Sequence, residues 1–287
     1  MSFQISPRMS KFYYLILFCF PILLHAQHEG RKGSYYAAWG YNRSTYANSD
    51  IHFAGNGYDF TLANVVAADA PTPFDGFTTY LNPNLFSVPQ FNLHAGYFIK
   101  DNLSISIGWD HMKYVMVPDQ TSHISGTISA QVSNPSYTIN PTYVGNYSNS
   151  PFTIASKDFL RFEHTDGFNY ASLDLEHYTP LWNPGVGKLE LEWMNGVGLG
   201  AVVPRSDVRL FTLGRNNFWN LAGAGVSIKS GLRLNLTKLL FFETTVKGGY
   251  TTLWDIRTTG QTGDSADQSI WFGEVYGALG FSFGRKK

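Results

Sequence analysis

The chain has 287 residues, with 21 Lys and Arg against 21 Asp and Glu, for a formal charge of +0. That balance excludes the basic surface on which electrostatic nucleic-acid binding depends. Aromatic residues reach 16% and charged residues only 15%, against a usual charged share of about 25%. Such a composition suits a sheet with one lipid-facing side and one polar side.

At the N-terminus, Arg8 and Lys11 precede an apolar run from Phe12 to Leu24, followed by His25-Ala26-Gln27. A basic flank, a short apolar run and a small exit residue read as a secretory signal peptide over 1–26, cleaved after Ala26. The run is too short for a membrane helix, which needs roughly 20 residues. Met9 could serve as the start instead, with Lys11 as its basic flank. The sole cysteine, Cys19, lies inside the segment to be removed. The mature chain then has neither a disulfide framework nor a cysteine nucleophile or cysteine–zinc site.

Residues 27–287 read as one domain built of alternating tracts. In Asn102-Leu103-Ser104-Ile105-Ser106-Ile107-Gly108-Trp109, apolar side chains fall on odd positions and small or polar ones on even positions. Successive strand side chains point to opposite faces, so the tract has one lipid-compatible face and one polar face. Val226 to Leu236 and Trp271 to Phe283 repeat the pattern. Eight strands follow, at roughly 34–46, 89–100, 102–116, 168–182, 188–203, 221–237, 239–254 and 269–284. Gaps at 100–102, 182–188 and 237–239 are tight, whereas those at 47–88, 117–167, 204–219 and 255–268 are long. Short periplasmic turns and long extracellular loops are the asymmetry of outer-membrane barrels, and an even strand count puts both termini in the periplasm. The expected fold is therefore an all-β antiparallel transmembrane barrel of eight strands. If 58–66 and 123–128 also cross the membrane, the count rises to ten. The run from Phe60 to Ala68, with Phe74, Phe77 and Tyr80, could instead fold over the mouth as a cap. The 117–167 loop, rich in Ser, Asn, Thr and Tyr, reads as solvated or surface-binding.

On these tracts the chain resembles the small outer-membrane barrel proteins of Gram-negative bacteria. Gly277 to Phe283 looks like the closing strand such proteins present to the barrel-insertion machinery, although here Gly284-Arg285-Lys286-Lys287 follows the aromatic. The resemblance implies outer-membrane lipid and that machinery as partners, with any extracellular ligand unspecified.

Placing the polar faces inward sends His94, Asp110, Asp174, Glu176, Glu190, Glu192, Lys229, Arg233, Glu243, Lys247 and Glu274 into the lumen. Eight strands enclose a space that side chains fill, and buried charges must be paired. Antiparallel pairing across Thr237-Lys238 sets Arg233 near Glu243. Trp109, Trp182, Trp193, Trp254 and Trp271 fall where aromatic girdles lie, and His177 falls on the lipid face.

No nucleophile elbow, phosphate loop or zinc-protease motif is present. Two polar clusters remain, Trp109-Asp110-His111-Met112-Lys113-Tyr114 and Glu163-His164-Thr165-Asp166-Gly167-Phe168-Asn169, on neighbouring strands at the outer rim. Asp110, His111, Glu163 and His164 could hold a divalent metal, the only cofactor considered. His164-Thr165-Asp166, with Glu176 beyond it, has the spacing of the His-x-Ser motif of outer-membrane lipid A deacylases and phospholipases. Asp166 stands where that motif has its serine, so the hydroxyl nucleophile is missing. The leading expectation is a barrel with a side-chain-plugged lumen and a non-enzymatic membrane- or surface-binding role. The alternatives are a rim enzyme acting on outer-leaflet lipid through His164, Asp166, His111 and Glu176, and passage of a small solute.

Overall fold

The computed structural model describes residues 30–73, 77–80, 82, 84–85, 88–184 and 189–284. The expected signal peptide, Phe74, the ring of Phe77 and most of the 182–188 turn lie outside the described residues. Eight strands form the wall: β1 (Tyr35–Tyr46), β2 (Phe91–Lys100), β3 (Leu103–Met116), β4 (Leu160–Trp182), β5 (Glu190–Val202), β6 (Gly223–Asn235), β7 (Leu240–Arg257) and β8 (Ser265–Phe283). Consecutive strands pair antiparallel. β1 also pairs with β8, from Tyr35 opposite Phe283 to Tyr46 opposite Phe272, so the sheet closes. The fold is an outer-membrane-type antiparallel β-barrel, and its closed wall has eight strands, not ten.

The alternation in sequence becomes two surfaces. Outward-facing Ile107, Leu199, Ile228, Val246 and Val275 are each more than half exposed. With Trp39, Leu173, Leu279 and Phe281 they encircle the wall, an apolar belt far larger than a soluble monomer leaves uncovered. Inward-facing Ser104, Ser106 and Asp110 on β3, and Asp174 and Glu176 on β4, are buried. Trp109, Trp254 and Trp271 lie toward one edge of the belt. Trp219, from a segment read as loop, joins them with its ring centroid 6.4 Å from that of Trp109. At the opposite edge His177 is held by Asn102 Nδ2, 3.0 Å from its Nε2.

Both described chain ends lie at one end of the barrel, here called proximal. The distal end is more than loops. β4 has 23 residues, β7 18 and β8 19, beyond the roughly 9–11 a tilted strand needs to cross a bilayer. Their distal ends serve as edges for further sheet. Ser265–Gln268 of β8 pairs with the strand Ser49–Gly55, followed in order by Tyr58–Val65, Thr121–Ile128 and Gly145–Thr153. His52 fastens this extension by contacting Asp267 at 2.7 Å and Asp59 at 3.0 Å across three strands. On the other side, Leu160–Glu163 of β4 pairs with Arg205–Leu210, which pairs with Leu213–Trp219. The segments 58–66 and 123–128 therefore pair with each other beyond the belt (Tyr58 opposite Ile128). Likewise β4 starts at Leu160 rather than near 168, and most of the expected loop at 117–167 is sheet.

The two extensions enclose a second core of aromatic rings. Phe53, Phe60, Phe159, Phe162, Phe168 and Phe211 are all buried there with Tyr114 and Met112. Phe53 and Phe60 stack at 5.1 Å, and Phe159 meets Phe211 edge-on at 5.6 Å. The run from Phe60 to Ala68 does fold over the barrel mouth: Phe60, Leu62, Val65 and Ala67 point into this core.

Candidate functional site: a filled lumen and a cleft on the outer wall

Inside the wall the polar side chains form three tiers. In the proximal tier Arg233 donates from Nε and Nη2 to Glu243 at 2.9 and 2.7 Å. Its guanidinium also lies 4.1 to 4.5 Å from the ring centroids of Phe241, Tyr36 and Tyr178, a cation–π cage as well as an ion pair. Arg31, which precedes β1, pairs with Glu192 and lies 4.0 Å over the Phe98 ring. Asn235 donates to Glu190 at 3.2 Å and to Glu192 at 2.7 Å.

In the middle tier Glu176 accepts from Lys229 at 2.6 Å, Ser104 at 2.7 Å, Tyr178 at 2.8 Å and Ser106 at 2.9 Å, and also from Tyr36. Lys229 donates as well to Asp174 at 2.9 Å. In the third tier Asp110 receives Lys247, His94 at 3.0 Å and Asn92 at 2.7 Å, and the same Asn92 amide donates to Glu274 at 2.7 Å. Carboxylates outnumber cations, and hydroxyl and amide donors supply most of the remaining hydrogen bonds, although Asp174 Oδ1 and Glu274 Oε2 have no partner among the described residues. The buried aromatic core lies distal to these tiers.

Of the residues expected to form one rim site, His111 and Asp166 line one cleft on the outer wall, whereas His164 and Glu176 lie elsewhere. His164 points into the aromatic core, fully buried, with its ring 5.2 Å from Phe162 and 5.7 Å from Tyr114. Its Nδ1 contacts Ser206 Oγ at 2.7 Å, and burial pushes its imidazole down to about 3. Asp166 is exposed on the outside of the wall. His111 also faces outward, against Phe91 at 5.1 Å, with Nδ1 2.7 Å from Asn169 Oδ1. Glu176 sits in the middle tier, twelve positions along the strand from His164, some 40 Å of extended chain away. The candidate metal ligands separate too. Asp110 is inside with Lys247, and Glu163 pairs with Arg161. Among the described residues no three His, Cys, Asp or Glu converge as a metal site.

One local feature separates Asp166 from His164. β4 is in register with β3 at His164 opposite Tyr114 and again at Phe168 opposite Met112, so three residues, 165–167, face Lys113 alone. This bulge turns Thr165 and Asp166 outward and places Gly167 at φ +138°. What it opens is a cleft of about 470 Å³ on the outer wall, distal to the belt and lined by Trp109, His111, Lys113, Asp166, Arg205 and Trp219 among others. Lys113 donates to Thr72 Oγ1 at 3.0 Å. Half burial lowers its ammonium below the ordinary range, opposed by the charges of Asp166 and Asp69.

No protein-family model and no characterised protein sequence matches the chain. Solved structures do. The chain is similar to Ail, the attachment invasion locus protein of Yersinia pestis, at 10% identity over 88% of this chain and 99% of that one, with a TM-score of 0.32. OprG, an outer membrane protein of Pseudomonas aeruginosa, aligns at 8% identity over 89% and 98%, with a TM-score of 0.39. The outer membrane protease OmpT of Escherichia coli aligns at 8% over 90% and 100%, with a TM-score of 0.30. All are small outer-membrane β-barrels.

Below the cleft the wall is hollowed. A row across the strands runs Leu93, Trp109, Ala171, Ala201 and Ala224, each opposite the next. The three alanines leave a groove of about 760 Å³ between Trp109, Leu221 and Trp254 above and Ile107, Leu173 and Leu199 below. Trp109 lines both cavities. Of the wall and lumen groups, sequence reasoning missed Arg31, Arg205 and Trp219. Arg31 precedes any alternation, and the other two lie in the short strands Arg205–Leu210 and Leu213–Trp219. Tyr36 and Tyr178 were missed as well, although both occupy inward positions of alternating tracts.

Proposed function

We propose that the chain is a non-conducting, non-enzymatic outer-membrane barrel that carries a folded surface-binding platform at its distal end. The observation that carries this reading is the succession of groups along the axis: three tiers of hydrogen-bonded charge followed by a buried aromatic core. An eight-stranded barrel so filled has no path for a solute. The tight connections at the proximal end and the built-up distal end support periplasmic turns and extracellular structure, and on this reading both termini lie in the periplasm. The belt meets outer-membrane lipid, and Phe283 ends the strand offered to the insertion machinery.

The separation of His164 and Glu176 from each other, and from the cleft that His111 and Asp166 line, speaks against the lipid-hydrolase alternative, because a base and its orienting carboxylate must lie within hydrogen-bond reach. The platform's exposed faces, including the strand Gly145–Thr153, are rich in Ser, Asn, Thr and Tyr, the adaptable polar contacts of recognition surfaces.

Planar-bilayer recordings of the refolded protein, paired with mass spectrometry of lipids from cells with and without the gene, test the reading. The expected outcome is a flat current trace and identical lipid profiles, with His164→Ala indistinguishable from wild type. Steady conductance, or an acyl chain lost only in the presence of the wild-type gene, would reject it.

A further inference from the structure

We propose that the outer wall holds one phosphorylated, multi-chain glycolipid of the outer leaflet, its acyl chains in the groove over Ala171, Ala201 and Ala224 and its phosphate in the cleft at Lys113 and Arg205. This goes beyond the role of the platform. It rests on the membrane-spanning barrel and not on what the distal sheet binds.

The two cavities are stacked in the order an amphiphile requires. The lower is almost wholly apolar, and its about 760 Å³ falls within the roughly 300–1,000 Å³ of ligand pockets. It runs from β2 to β6, four strand spacings of about 4.8 Å, so it is wider than one acyl chain. The upper, about 470 Å³, is mixed: Val88, Phe91 and two indole rings line it beside six polar or charged side chains. Trp109 and Trp219 stand where the two meet, the position of indole rings at a lipid–water boundary. A ligand that fills both cavities has several chains on one side of that boundary and a polar head on the other.

Charge sets the head group. The cleft contains two cations, Lys113 and Arg205, and one carboxylate, Asp166. Arg205 stands 6.0 Å over the Trp219 ring, and its buried Nε has no hydrogen-bond partner among the described residues. Lys113 is half-buried with a threonine hydroxyl as its hydrogen-bond acceptor. Asp69 also acts on Lys113 from outside the lining, and Arg43 adds a cation there; an ammonium and a guanidinium drawn out of water with one carboxylate in the lining are complementary to an anion. Arginine's planar fork and the lysine point charge are together the usual donors to phosphate. His111 and Asn169 at the back of the cleft are already joined to each other, and their link keeps the cleft floor in place.

The test uses the full chain purified in detergent and native mass spectrometry with four probes: phosphorylated lipid A, its dephosphorylated form, phosphatidylglycerol and inorganic phosphate. Wild type should retain one lipid A. Dephosphorylation, and separately the pair Lys113→Gln with Arg205→Gln, should each weaken retention about tenfold or more, the loss of one good charge-assisted contact. Ala201→Phe, which fills the groove from the lipid side, should weaken it comparably without touching a charge. Circular dichroism confirms that each variant is folded. Equal retention of lipid A by wild type and all variants overturns the proposal, as does equal retention of the dephosphorylated lipid. Phosphatidylglycerol held as tightly as lipid A overturns the multi-chain assignment, and inorganic phosphate held as tightly overturns the lipid assignment. None of these outcomes depends on the platform, whose failure would show in surface-binding measurements instead.

Discussion

His164 shows what a single misplaced side chain does to a functional reading. Its neighbours in sequence, Glu163 and Asp166, suggest a base with a carboxylate orienter. In the folded chain its neighbours are Phe162, Tyr114 and Phe168, with Ser206 as its hydrogen-bond partner. A buried imidazole held down at about 3 stays neutral in the fold, whereas the unfolded chain binds a proton near pH 6.5. The folded value is the lower one, so stability is complete above about pH 6.5. It is lost as pH falls toward 3, at about 1.4 kcal/mol per pH unit for this group. Denaturant unfolding in lipid vesicles, followed by tryptophan fluorescence, measures the effect. Between about pH 7.5 and 4.5 wild type should lose roughly 2–3 kcal/mol more than His164→Leu. The leucine variant leaves Ser206 without its partner at both pH values, a cost that cancels in the comparison. Equal losses would mean that His164 charges freely inside the fold. At this scale the lumen was legible because inward positions follow a period of two. The wall cleft was legible in part: the two polar clusters supply Trp109, His111, Lys113, Thr165, Asp166 and Asn169, whereas Arg205 and Trp219 lie on distal strands of no shared pattern.

At the level of elements, the belt strands were read nearly to the residue, and their distal continuations were not. A membrane strand writes itself in sequence because lipid on one side and a polar lumen on the other enforce strict alternation. Past the belt, the outer face meets water and the inner face an aromatic core, so Ser49–Gly55 or Arg205–Leu210 carries only a short, weak pattern. Bulges then break what remains. The bulge in β4 had one visible mark, Gly167, since glycine inside a strand signals such irregularity. At φ +138° a Cβ on residue 167 would meet Asn169 Nδ2 at 2.3 Å. That amide donates to Val203 O at 3.0 Å, and Asn169 also partners His111. Gly167→Val should therefore cost about 2–4 kcal/mol by combining backbone strain with two disturbed hydrogen bonds. Gly263 supplies the control, with φ +88° and nothing within 4 Å of an added Cβ. There Gly263→Ala adds strain alone and should cost about 1 kcal/mol. Unfolding free energies of the two variants check the difference, and equal costs would mean that the Asn169 contacts contribute nothing to the bulge.

For the whole molecule, the question is why seven carboxylates and four cations are kept inside a barrel that could have been filled with apolar side chains. Burying a pair costs nearly as much solvation as its attraction returns, whereas removing one member strands the other. The polar lumen is thus better understood as a lock on register than as a source of net stability. A strand slipped by one residue would turn Lys229, Arg233 and Glu176 toward lipid. Arg233 is the sharpest place to test this, because three rings and Glu243 close around it. Arg233→Met should lose about 3–5 kcal/mol by leaving Glu243 in a buried site without its cation. Adding Glu243→Leu should return part of that loss, and the cycle of single and double variants should give a coupling of at least about 1 kcal/mol. Through all of these changes the current trace in planar bilayers should stay flat, since two further charge tiers and the aromatic core still close the axis. A channel opened by Arg233→Met alone would mean that the proximal tier is the only barrier and that the distal core admits water.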